Sequence, residues 1–402
     1  MSDLNVVKRP RRILPIIIFS QFTGTSLWFA TNAIITDIQN NLQLPESALG
    51  NVTSAVQFGF ITGTLIFAFL AIADRFSPRK VFLWSSIIGA VANLSVYFLA
   101  TDIYTLLVLR FVTGFFLAGI YPVGMKIAAD WFEKGLGTAL GFLVGALVFG
   151  TAFPHFIKGS IQSFSWENIL FATSFLASLG GIILFIFVPD GPFRKPASKF
   201  NLLGLVDIFK HKALRLAAFG YFGHMWELYA FWAFVPVMIS YFNVLNPADS
   251  LNISIWSFVI IAIGGFGCMI GGKISLHTGS RKVAGVSLFV SGLCCLISPF
   301  IFQLSSTFFL LILLIWGTFV VADSPQFSTL VAQTAPKESI GSALTIVNSI
   351  GFAITIVSIQ IINQIKGNFD QSLLYVLLFI GPAFGLLSLI KLKKELLISK
   401  FH

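Results

Sequence analysis

Charge is scarce in this sequence. Of its 402 residues only 10% are Asp, Glu, Lys or Arg, where a soluble domain carries roughly 25%. So few charges cannot cover a water-facing surface. With 56% hydrophobic residues and a mean hydropathy of +0.89, the chain reads as a membrane protein. Cysteine is equally sparse: Cys268, Cys294 and Cys295 all fall in apolar runs, which excludes a disulfide framework and a CxxC metal pair. There is no nucleotide-binding loop, metal-ligand cluster or nucleophile–base set. ATP-driven transport and enzymatic chemistry are therefore not expected, and neither is a cofactor or a metal.

What the chain does have is long apolar runs. About twelve, from 13–38 to 371–390, are each long enough to cross a ~30 Å hydrocarbon core as a helix. They lack the period-2 alternation of a membrane barrel. The first reads through Asp37 without a small-residue cleavage site, as a retained helix does. The polar stretch PDGPFRKPASKFNLLGLVDIFKHK divides the runs six and six. The expected organisation is a segment 1–12, a first six-helix bundle 13–188, a linker 189–212, a second bundle 213–390 and a tail 391–402.

A net charge of +10 would suit nucleic acid, but its distribution says otherwise. Of the 26 lysines and arginines, only Arg110, Lys158 and Lys366 fall outside the two ends and the even-numbered junctions. The positive-inside rule then predicts cytoplasmic termini and linker, with lipid and no nucleic acid as partner.

The junction LAIADRFSPRK (70–80) superposes on GKISLHTGSRK (272–282) at an offset of 202, which aligns Arg79 and Lys80 with Arg281 and Lys282. The chain therefore reads as an internal duplication. Asp74, Arg75, Ser77 and Arg79 match the loop between the second and third helices of the major facilitator superfamily of secondary transporters, with Leu70 and Ser77 in place of its two glycines. RFVTGFFLAG, with Arg110 and Gly114, matches its fourth-helix signature. Over essentially its whole length the chain resembles this superfamily. The stretch IYPVGMKIAADWF is similar to bacterial members described as nitrate- or cyanate-transporter-like, although the glycine- and asparagine-rich signature of nitrate carriers is absent. The Gly-Pro-xx-Gly-Gly element of drug exporters is missing as well, which points toward import.

The resemblance implies an all-α membrane protein with twelve transmembrane helices in two pseudo-symmetric six-helix bundles. It implies alternating access, a monomer and a place in the bacterial cytoplasmic (inner) membrane. It also implies that Arg110 couples protons or grips an anion, and that Asp74, Arg75, Arg79 and Asp130 form a cytoplasmic gate. In that gate Asp74 docks at the start of the eleventh helix and Arg79 reaches Asp130.

Ionisable groups inside a membrane run are costly and usually face a cavity or a partner. Glu227 lies near mid-depth of the seventh run, and His224 sits one turn before it on the same face. A proton shared or relayed by this pair is the expected coupling device, with Tyr221 beside it as a substrate contact. On the first helix Gln21, Thr25, Trp28 and Asn32 form one stripe by helical spacing and are expected to line the cavity. Gln57, His155 and Asn348 are further candidates; Asn51 and Gln360 are weaker ones. Asp323, before Pro325, is expected to cap the broken helix or to pair with a cytoplasmic basic residue. Gly137, Gly141 and Gly145 form a small-residue packing stripe.

Together these predict proton-coupled import of a small organic anion or zwitterion. An exporter of amphipathic compounds is the alternative, since 45 phenylalanines could line a permissive pocket. Copper import is disfavoured by the five methionines, which include no MxxxM pair.

Overall fold

The computed structural model describes residues 10–132, 135–160, 165–194, 210–336, 339–367 and 369–398. All regular structure among the described residues is helical. The first half contains α1 (Ile13–Thr25), α2 (Ala48–Phe69), α3 (Pro78–Leu99), α4 (Ile103–Trp131), α5 (Leu136–Ser160) and α6 (Trp166–Phe187). The second half contains α7 (Lys212–Leu245), α8 (Ile253–Thr278), α9 (Ser280–Ile301), α10 (Ser306–Thr334), α11 (Ile340–Ile365) and α12 (Leu374–Leu396). All but α1 are long and apolar enough to span a bilayer on their own; α1 continues past a break as Ala30–Ala33 and Ile35–Leu42. Phe58, Phe98, Val108, Phe175, Phe289 and Phe300 stand exposed on the outside. In water such a surface would drive association; on a transmembrane bundle it meets lipid.

The duplication is visible in the helix starts. α3 begins at Pro78 after Ser77, and α9 begins at Ser280 after Gly279, at the same offset of 202. Gly279 takes a φ of 86°, a left-handed turn that glycine adopts freely. Each half also packs through tight glycine crossings. A Cβ on Gly114 would collide with the Val56 carbonyl in the α2–α4 contact, and one on Gly317 with the Ile260 carbonyl between α8 and α10. Small residues here let the backbones approach.

Three helices break near mid-depth. In α1, SQFTGTS sends its hydroxyls back onto the preceding turn: Thr23 to Ser20 O, Thr25 to Gln21 O and Ser26 to Thr23 O. Such back-bonding competes with the helix ladder, and α1 stops at Thr25. α4 breaks over 118–120 before Pro122, and α10 breaks at Asp323 before Pro325. A ring in place of an N–H removes the ladder bond and clashes with the preceding turn.

The two halves meet along α5–α8 and α2–α11. Arg79, Lys126, Lys212 and Arg281 mark the basic-loop end, which also holds the start of α7 beside the end of α12 through a 2.6 Å Lys212–Glu395 ion pair. At the far end the halves are joined. Gln360 donates to Gly50 O, Asn51 Oδ1 and Ser54 Oγ; Asn363 donates to Ser47 O, and Lys366 to Glu46 O. Toward the basic-loop end they part. The stripe expected to pack does so only at Gly145, against Gly265 and Met269, while Gly137 and Gly141 face open space. The expected segment 1–12, linker 189–212 and tail 391–402 fall partly outside the described residues, as do Lys134, Lys195, Lys199 and Lys337.

Candidate functional site

Between the halves, near mid-depth, lies a cavity of about 30 Å³, room for roughly one or two water molecules. The proline breaks shape its wall. Tyr121 and Ser324 each stand directly before a break proline, and both line the cavity. From α7 come Tyr221, Met225, Tyr229 and Trp232, from α10 also Ser328, and from α11 Asn348 and Phe352. No Lys, Arg, Asp or Glu is among the lining residues. Of the residues expected to bind substrate, Tyr221 and Asn348 line it.

The ionisable groups sit just behind this wall. His224 Nδ1 lies 2.9 Å from Asp323 Oδ1, with both side chains 1% exposed. The imidazole packs against the rings of Tyr221 and Phe327, at 5.8 and 5.9 Å, and its Nε2 has no hydrogen-bond partner. The α10 break positions Asp323, whose neighbours Val321 and Ser324 both line the cavity. His224 therefore pairs with Asp323 rather than with Glu227, three residues away. Sequence spacing could not show this, because the partner comes from a helix almost 100 residues later.

Glu227 points elsewhere. Its carboxylate accepts from Trp316 Nε1 at 2.6 Å, Ser291 Oγ at 2.9 Å and Cys295 Sγ at 3.3 Å. The cage lies among α7, α9 and α10 inside the second half, and Glu227 is not in the cavity lining. Three neutral donors suit an anion without a counter-charge.

Arg110 is buried in the first half. It donates to Asn93 Oδ1 at 3.1 Å, Leu27 O at 3.2 Å and Trp28 O at 2.6 Å. The last two are carbonyls released by the α1 break, where a cation is electrostatically favoured. The single stripe expected on α1 is thereby split. Thr25 turns to Gly150 of α5, Gln21 to Gly124 of α4, and Asn32 donates to Thr53 at 2.7 Å. Trp28 alone of the four has been placed against rings of the second half, Tyr229 and Phe352. Gln57 and His155 are buried with unpaired polar atoms, Oε1 and Nε2 of Gln57 and Nε2 of His155. Lys158, one turn beyond His155 on α5, forms a 2.6 Å pair with Asp37 at the far end.

The loop residues form a network within the first half. Asp74 pairs with Lys126 at 2.7 Å, and Lys126 lies 3.8 Å from Asp130. The expected Arg79–Asp130 contact is absent: Arg79 donates to Phe185 O and lies 4.0 Å from Asp190. Arg194 donates to the carbonyls of Asp74 and Phe76, and Arg75 is exposed. Nor does Asp74 dock on α11. It faces Gly341, Ser342 and Thr345 of that helix across a cavity of about 210 Å³, so its carboxylate takes the nearest cation on its own side.

The chain resembles several curated transporters. It is 25% identical over 297 residues to a probable sulfoacetate transporter of Cupriavidus necator, covering 66% of each chain. It is 25% identical over 408 residues to a probable galactarate/D-glucarate transporter of Escherichia coli, covering 90% of this chain and 89% of that one. Thus it spans just under two thirds of the first relative's length. The xylose transporter of E. coli, in a partially occluded inward-open conformation, superposes with a TM-score of 0.73 at 12% identity, over 95% of this chain and 98% of that one. The family model of the Major Facilitator Superfamily matches residues 17–359, and this twelve-helix membrane protein belongs to that superfamily.

Proposed function

We propose that the protein is a secondary transporter that imports a small organic acid together with protons, by alternating access between its two halves. The observation that carries this reading is the buried His224–Asp323 pair directly behind an uncharged cavity wall. An acid entering that cavity meets no cation, and an uncompensated buried charge is expensive. When the pair already shares one proton and is net neutral, uptake of a second leaves a net positive charge next to the substrate; release of that proton on the other side removes the charge. The two move together because each is costly alone. Sulfoacetate and galactarate or glucarate, named for the relatives, are acids of this kind.

The far end closes through Gln360 and Asn363, while the basic-loop end keeps its cavity beside Asp74. With the basic loops in the cytoplasm of a bacterial inner membrane, this is an inward-facing, partly occluded state of a monomer. Asp74, Arg75, Arg79 and Asp130 are then the cytoplasmic gate in its open form. Arg110 holds the α1 break, and Glu227 braces the second half.

Purified protein in liposomes tests this. An acid-outside gradient should drive uptake of a radiolabelled organic acid, and Asp323→Asn should leave exchange but abolish the response to the gradient. Gradient-driven uptake that survives both Asp323→Asn and His224→Gln would remove the coupling role. A second reading, export of amphipathic cations, is favoured by the aromatic, uncharged lining. It predicts proton-driven efflux of such cations and no acid uptake.

A further inference from the structure

Trp28 belongs to the first half, yet its indole stacks on two rings of the second. It lies 5.7 Å from Tyr229 with 30° between the planes, and 5.8 Å from Phe352 with 23°. Tyr229 and Phe352 are 5.2 Å apart, and both line the central cavity. The second half therefore presents an aromatic corner that already receives a flat ring. Trp28 rides on the broken part of α1, held by its carbonyl to Arg110 of the same half. In the alternating-access reading above, parting of the halves at the far end withdraws the indole with the first half and opens the corner to the cavity.

Two further observations bear on what replaces it. The indole Nε1 groups of Trp28 and Trp232 are buried without a hydrogen-bond partner, although buried donors are nearly always paired. Trp232 lines the cavity, where a ligand acceptor would satisfy its donor. The polar lining is otherwise Tyr121, Tyr221, Tyr229, Ser324, Ser328 and Asn348, with no basic side chain. It offers a few donors for one acidic group and no partner for a second negative charge.

We propose that the substrate is a monoanionic acid carrying one aromatic ring, whose ring takes the place of the Trp28 indole against Tyr229 and Phe352. This rests on the organic-acid reading above and narrows it. A polyhydroxylated diacid would set hydroxyls against ring faces and leave one carboxylate unmatched, both unfavourable. An aromatic acid instead gains stacking and apolar burial.

Counterflow of radiolabelled 4-hydroxybenzoate into liposomes holding the purified protein tests it, with benzoate, D-glucarate and sulfoacetate as competitors. Labelled glucarate and sulfoacetate are assayed in parallel under an acid-outside gradient. Saturable counterflow competed by benzoate alone is expected. Phe352→Leu should raise the half-saturation concentration about tenfold, the size of one lost aromatic contact, and Phe352→Tyr should restore it. Because Phe352→Tyr keeps the core filled, a folding defect in the leucine variant does not hide the answer. Half-saturation unchanged in Phe352→Leu, or uptake of glucarate or sulfoacetate in place of the aromatic acid, overturns the aromatic assignment and leaves proton-coupled acid transport standing. Absence of gradient-driven uptake for every acid overturns both.

Discussion

Each half of the protein pins the junction of its first, third and fourth helices with a buried ionisable side chain, basic in the first half and acidic in the second. Arg110 reaches from α4 to α3 through Asn93 and to the broken end of α1 through two carbonyls. Glu227 reaches from α7 to α9 through Ser291 and Cys295 and to α10 through Trp316. At the offset of 202, Asn93 and Cys295 are equivalent positions. The same junction of first, third and fourth helices is thus pinned twice, once by a cation among acceptors and once by an anion among donors. A guanidinium keeps its proton, so the first pin is permanent. The duplicated framework preserves where the pin is needed and leaves its sign free.

Breaking the first pin should cost most. Arg110→Met strands three buried acceptors, each worth about 1–3 kcal/mol when left unpaired, so a loss of at least about 3 kcal/mol is expected in thermal unfolding of the detergent-purified protein. Arg110→Lys keeps the charge but not the fork and should fall between. A methionine variant within about 1 kcal/mol of the parent would rule out the clamp.

The second pin should prove softer. In Glu227→Gln the amide oxygen still accepts from Trp316, and the amide nitrogen can donate to the Ser291 hydroxyl. Stability within about 1 kcal/mol of the parent and retained gradient-driven uptake are expected, whereas Asp323→Asn loses the gradient response. If Glu227→Gln instead loses that response while keeping exchange, the proton resides in the cage rather than on the His224 pair.

This contrast also shows what the residue order could reveal. Twelve runs, the basic loops and the 202 repeat follow from composition and periodicity, because a bilayer forces length and polarity on every helix. Glu227, His224 and Arg110 stood out because charge inside an apolar run is costly. Asp323 stood out for the same reason, but which groups pair with one another did not. Asp323 and Trp316 come from α10 and Cys295 from α9, and no local spacing links them to α7. The α1 stripe failed for a different reason: periodicity assumes a continuous helix, and the hydroxyls of SQFTGTS end it at Thr25. Tyr121, Tyr229, Trp232, Ser324 and Ser328 were missed although Tyr121 and Ser324 each precede a proline; a break inside a membrane run was the available signal.

A second contrast, between the closed far end and the parted basic-loop end, yields smaller effects. Gln360→Ala removes bonds to Gly50, Asn51 and Ser54, and a net cost of about 1–2 kcal/mol should shift the population toward opening at the far end. Thiol labelling of Ser54→Cys, compared with and without Gln360→Ala, reads this directly. Labelling that does not rise would mean the latch lies elsewhere.

The smallest effect is expected at Gly137. No atom lies within 4 Å of a Cβ built there, and replacing a helical glycine by alanine where the backbone allows it stabilises by about 0.4–1 kcal/mol. Gly137→Ala should therefore raise the unfolding temperature slightly in this conformation. The opposite conformation is different if α5 slides on α8, because closing the basic-loop end brings the stripe into contact and a methyl group would obstruct the approach. Gly137→Ala should thus be slightly more stable and slower in uptake, a combination that local stability alone cannot give. Unchanged uptake would take Gly137 out of the moving surface and leave Gly145, already against Gly265 and Met269, as the point where α5 bears on α8.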